Sequence, residues 1–93
     1  MVWPSLEFKN VPVPMNIEWN PSNPARVLNA PEVNRPDSRN VRYEWRKGDE
    51  VVGYGKVVSA PLSKGQNVFS VTAMDQGMVG GRPVTVNMII VCQ

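Results

Sequence analysis

The stretch Val41-Arg42-Tyr43-Glu44-Trp45-Arg46 puts an apolar residue at every second position and a charged one between each pair. Successive side chains of a strand point to opposite faces, so this spacing predicts a strand with one face in a core and the other in water. Lys47-Gly48-Asp49 follows as a tight turn, and Glu50-Val51-Val52 returns as the second arm of a hairpin before Gly53-Tyr54-Gly55, read as a flexible break. Toward the C-terminus, Lys56 to Leu62 reads as a short strand and Ser63 to Gln66 as a turn. Asn67 to Met74 forms a strand with Phe69, Val71 and Ala73 inward and Ser70 and Thr72 outward. The glycine-rich Gln76 to Gly81 makes a hairpin tip, and Val84, Val86, Met88 and Ile90 close the domain as a last strand, with Cys92 of the same parity at its frayed end.

Toward the N-terminus the signal is broken by proline. Pro31 to Asn40 is a loop, Arg26 to Ala30 a weak strand, and Asn20 to Pro24 a turn cluster. Before them, Val11, Val13, Met15, Ile17 and Trp19 share one parity, which predicts a half-buried strand over that range. Pro12 and Pro14 cannot donate to a ladder and place this strand at a sheet edge. Leu6 and Phe8 have the opposite parity, so a bulge or a change of sheet is expected near Lys9 and Asn10. About seven strands and no helix make the expected fold an all-β sandwich.

Length and composition agree with one domain spanning residues 1–93. Nine prolines and seven glycines interrupt the chain often, and 42% hydrophobic residues in a chain of 93 suffice for one core without metal or disulfide staples. Cys92 is the single cysteine, so no intradomain disulfide exists. Ten Lys and Arg against eight Asp and Glu give a net charge of +2, and most cations have acids nearby, so nucleic acid is not an expected partner. Arg35, Arg39 and Arg42 form a short basic run broken by Asp37, read as a solvated loop. No apolar run has the length of a membrane helix, and no signal peptide opens the chain. The last strand runs almost to the final residue, from which we expect a module excised from a longer, multi-module protein.

Tyr43-Glu44-Trp45, Lys47-Gly48-Asp49, Val51-Val52-Gly53, Pro61-Leu62-Ser63-Lys64-Gly65, Phe69-Ser70-Val71-Thr72-Ala73-Met74-Asp75 and the closing Val84 to Val91 strand occur in a telling order. The stretch from Val41 to Val91 resembles the second half of the immunoglobulin-like modules, related to polycystic-kidney-disease-type domains, that are strung in series through large bacterial surface proteins. The resemblance implies an immunoglobulin-like β-sandwich of antiparallel strands, with Trp45 as the pin between the sheets and Leu62 plugging one end. It also implies an extracellular or cell-surface location, neighbouring modules in the same chain, and a role in adhesion, protein recognition and spacing. The first forty residues match it less well, and the cysteine pair of antibody domains is missing.

Catalysis has little to work with. A chain without histidine lacks the commonest general base and metal ligand, no nucleophile triad is visible, and Asp49 and Glu50 sit on a hydrated turn. No catalytic residue and no cofactor is expected. Calcium between Asp37 and Asp75 has no acidic motif behind it, so no metal site is assigned. Surface recognition remains. The loop before the Tyr43 strand and the loop after the Phe69 strand should share one end of the sandwich, bringing Arg35, Asp37 and Arg39 near Met78, Val79 and Arg82. Flexible apolar residues beside arginines are what interface centres contain; the competing reading has Met78 and Val79 folding back over the core or touching the next module. The partner expected is a protein or cell-surface ligand, bound by a chain that is monomeric in isolation. An accessory carbohydrate-binding module is the alternative, and it requires Trp3, Tyr54 or Trp19 to present a flat, exposed ring.

Overall fold

The computed structural model describes residues 6–34, 41–76 and 82–93. Seven strands and no helix occur among them: β1 (Met15–Ile17), β2 (Ala25–Asn29), β3 (Val41–Lys47), β4 (Glu50–Tyr54), β5 (Val57–Pro61), β6 (Gly65–Asp75) and β7 (Val84–Cys92). They form a five-stranded sheet in the order β1-β7-β6-β3-β4 and a two-stranded sheet of β2 with β5. Buried apolar side chains from both sheets make one cluster, with Trp45, Phe69, Val71, Ala73 and Ile90 at its centre and Leu28, Val58 and Ala60 from the smaller sheet.

The alternation that defines β3 is realised in full: Val41, Tyr43 and Trp45 are buried, and Trp45 is 0% exposed. β6 supplies the facing row through Phe69, Val71 and Ala73, in register with Lys47, Trp45 and Tyr43 of β3. Its parity also buries a polar residue, Asn67, at 1% exposure. The Asn67 amide donates to the carbonyls of Ser63, Gly65 and Ile90 at 2.8, 3.1 and 3.2 Å, and its oxygen accepts from the Ser63 N–H at 2.9 Å. A buried amide with its hydrogen bonds made is tolerated, and here it ties the β5–β6 connection to β7. Leu62 is buried beside that connection.

The N-terminal part departs from expectation in two ways. The strand expected from Val11 to Trp19 shrinks to Met15–Ile17, and Val11 and Val13 are 74% and 82% exposed. Pro12 and Pro14 offer no N–H to a ladder, and this stretch is spent crossing between sheets. The expected change of sheet is present: Phe8 bridges Val33 beyond the end of β2, with Lys9 N–H donating to the Glu32 carbonyl, whereas β1 lies on β7 at the edge of the larger sheet. The second departure corrects the antiparallel expectation, because β1 and β7 are parallel, with Met15, Asn16 and Ile17 opposite Ile90, Val91 and Cys92. A chain that starts beside Val33, antiparallel to that segment, is already running in the direction of β7 when it reaches the larger sheet.

The C-terminal end is not frayed. β7 continues to Cys92, whose thiol is buried, and Gln93 exchanges hydrogen bonds with Ile17 and Trp19 at 3.0 Å. Trp19 packs half-buried against the core, as expected of it. The described chain therefore enters at one pole, beside Val33 and Asn34, and leaves at the other, beside Trp19. The long axis measures 51 Å against 21 Å across.

Candidate functional site

Of the residues singled out for the loop end, Arg35, Asp37, Arg39, Met78 and Val79 lie outside the described residues, as does Trp3. Arg82 is described and exposed. Val41 is the register partner of Asp75, so β3 begins where β6 ends, and residues 34 and 76 approach the same pole. Tyr43, buried near that pole, has its phenol held above the usual pKa, first by burial and second by the negative charge of Glu32.

Below this pole, the outer face of the larger sheet carries a groove of about 720 Å³. Its walls include Arg42, Glu44, Tyr54, Lys56, Thr72 and Met74, and its upper margin reaches Gln76 and Pro83. Strand register explains why residues so far apart in sequence meet. Tyr54 lies opposite Glu44, Glu44 opposite Thr72, and Thr72 opposite Thr85, making one row across four strands. At the ordinary strand spacing that row spans about 14 Å. The next row runs Val51, Arg46, Ser70, Asn87.

Tyr54 is the aromatic of the groove, 70% exposed. It belongs to β4 rather than to a flexible break. Its position is fixed from below: the indole N–H of Trp45 donates to the Gly55 carbonyl at 2.8 Å, and the Gly55 N–H donates to the Tyr43 carbonyl at 3.0 Å. Gly55 has φ 106°, a backbone conformation open to glycine at no steric cost. On the other side of Tyr54, a Cβ at Gly53 would stand 2.9 Å from Val58 Cγ1, so the close approach of β4 to the smaller sheet needs glycine there.

The polar groups beside Tyr54 are organised by their own contacts. Arg46 Nε donates to Glu44 Oε1, and that hydrogen bond, followed by the charge of Glu44, holds the guanidinium above its ordinary pKa. Thr72 and Thr85 share a hydroxyl hydrogen bond at 2.9 Å, and Ser70 donates to Asn87 Oδ1 at 3.4 Å. The face is thus an exposed ring with an apolar neighbour in Met74, set against rows of hydroxyl, amide and ion-paired groups. Among the described residues no group of three or more His, Cys, Asp or Glu side chains is arranged to hold a metal.

Sequence reasoning weighed Tyr54 as a sugar platform but did not join it to Arg42, Glu44, Thr72 and Met74. The available signal was the outward parity of those residues on β3 and β6. Comparison with protein-family models, curated proteins and solved structures found no match to this chain.

Proposed function

We propose that this chain is a non-catalytic immunoglobulin-like module of a bacterial extracellular or cell-surface protein, acting in adhesion and recognition and as a spacer. The observation that carries the reading is the disposition of poles and groove. The described chain runs from one pole at Leu6 to the other at Gln93, while the Tyr54 groove opens sideways, on a surface that neighbours in series would leave uncovered. The sheet order β1-β7-β6-β3-β4 over β2-β5, with the chain changing sheet after β1, β2, β4 and β5, is in keeping with such a module. Strands rather than loops position the groove, so recognition there loses little ordering entropy.

The test is binding of the labelled domain to intact bacterial and host cells, beside a Tyr54→Ala, Met74→Ser variant matched for thermal stability. Loss of binding in the variant supports recognition through the groove. Equal binding by both proteins, or binding by neither, overturns it. A carbohydrate-binding accessory role in a secreted enzyme is the second reading, and the exposure of Tyr54 favours it.

A further inference from the structure

The open edges of the two sheets are not alike. β2 carries Arg26, β4 carries Glu50, β5 ends on Pro61, and Pro14 precedes β1. Charges and prolines of this kind keep an open strand edge from pairing with another chain. β7 has neither from Val84 to Cys92, and β1 covers only Ile90–Cys92 of its outer side. Among the described residues no strand takes the edge from Val84 to Met88. The cause is local. Continuing the parallel pairing back from Met15 would set Val13 against Met88 and Val11 against Val86, but Pro12 and Pro14 break the ladder and both valines stay exposed. The main-chain groups left open can be named. Gln93 exchanges its N–H and carbonyl bonds with β1, so Thr85 and Asn87, of the same parity on a strand without a bulge, turn theirs to the same side.

This side of the molecule is also without charge. Residues 10–17 and 83–93 hold no charged side chain, so all ten Lys and Arg and all eight Asp and Glu lie elsewhere. Interface centres are depleted in charge in this way, and Val84, Val86 and Met88 stand half-buried at the rim of the core behind the edge. The order of residues along the edge selects the occupant. A two-fold axis at Val86 sets Val86 on its own copy, Val84 on Met88 and Thr85 on Asn87, each Thr85–Asn87 pair exchanging both of its main-chain hydrogen bonds. Like meets like there with no repulsion, because nothing in the register is charged.

We infer that two copies of this chain pair edge to edge, β7 antiparallel to β7 over Val84–Met88, and join their larger sheets into one. Five residues of strand a side, with Val11, Val13 and Met15 exposed beside them, fall short of the roughly 20–30 residues a side of a standard interface. The pairing is therefore weak, with a Kd of about 10–100 μM, and the monomer expected from the sequence prevails only in dilute solution. Tyr54 lies on β4 at the far edge of the sheet, so the dimer leaves both grooves open on one face, about 33 Å apart across the strands.

Sedimentation equilibrium of the whole chain from about 1 μM to about 1 mM tests this, with amide hydrogen exchange followed over the same range. Association is expected, and exchange at Thr85 and Asn87 slows as concentration rises while exchange at Tyr54 does not change. Asn87→Pro removes one edge-facing donor and no main-chain bond to β6, and Val86→Lys opposes two charges on the axis. Each is expected to weaken association about tenfold or more, whereas Val51→Lys, on β4, leaves it unchanged. A chain that stays monomeric at about 1 mM overturns the inference. So does association that both β7 variants leave intact, or association without slower exchange at Thr85 and Asn87. Should either variant fail to fold, the exchange of the unaltered chain decides.

Discussion

The indole N–H of Trp45, at the centre of the core, is hydrogen-bonded to the carbonyl of Gly55, the residue that follows Tyr54 on the surface. One side chain therefore fills the space between the sheets and sets the backbone that presents the exposed ring. Packing and presentation are coupled through a single 2.8 Å contact.

Trp45→Phe separates the two roles. It removes the donor, leaves the Gly55 carbonyl short of a partner and opens a small void. We expect a loss of about 2–4 kcal/mol in urea unfolding. We also expect faster hydrogen exchange at residues 54–56 than at β6. Uniform exchange across the domain would refute the link between the indole and the Tyr54 turn.

Gly53→Ala should cost about 1–3 kcal/mol, because the added methyl meets Val58 Cγ1 at 2.9 Å. The same substitution made in a Val58→Ala background should cost far less. A double-mutant cycle by chemical denaturation measures this coupling, and additive costs would show that Val58 is not what the methyl strikes.

Asn67→Ala deletes the side-chain hydrogen bonds to Ser63, Gly65, Ile90 and Cys92 at a site with 1% exposure. The Ile90 carbonyl loses a partner where water reaches poorly, and the amide is replaced by a void, so a loss of about 3 kcal/mol is expected. Thermal unfolding of this variant against Ser70→Ala, an outward-facing control on the same strand, checks it.

Tyr43 gives the domain an alkaline limit. Its folded pKa lies above the ordinary value of 10.0, through burial first and the Glu32 charge second. The unfolded state then loses this proton first as pH rises. The contribution of Tyr43 is whole below pH 10 and declines from there up to the folded pKa. Stability measured from about pH 9 to about pH 12 should fall less steeply in Tyr43→Phe. Parallel slopes for the two proteins would count against it.

The strands whose partners lie in the larger sheet's middle were the legible part of the sequence. β3 and β6 alternate cleanly because each has one face in the core, and their inward residues are the buried ones. Alternation misled at Val11 and Val13, since a period-2 pattern predicts burial only where a ladder holds the strand against a core. Gly53 could not be read locally, because Val58, which constrains it, comes from another strand, and the tie of Asn67 to Ile90 on β7 was equally invisible. The same holds for the groove, whose residues gather from β3, β4 and β6 only once the register is known. The parallel β1–β7 pairing joins segments some seventy residues apart and left no local trace.

That pairing bears on what happens when the two poles are drawn apart. Tension on Leu6 and Gln93 pulls β1 toward the pole where the chain enters and β7 toward the pole where it leaves. Two parallel strands drawn in opposite directions along their own axes load their hydrogen bonds in shear, so the bonds yield together instead of peeling one by one. Beyond the Phe8–Val33 bridge, Met15–Ile17 against Ile90–Cys92 is thus a short patch that bears the load in shear.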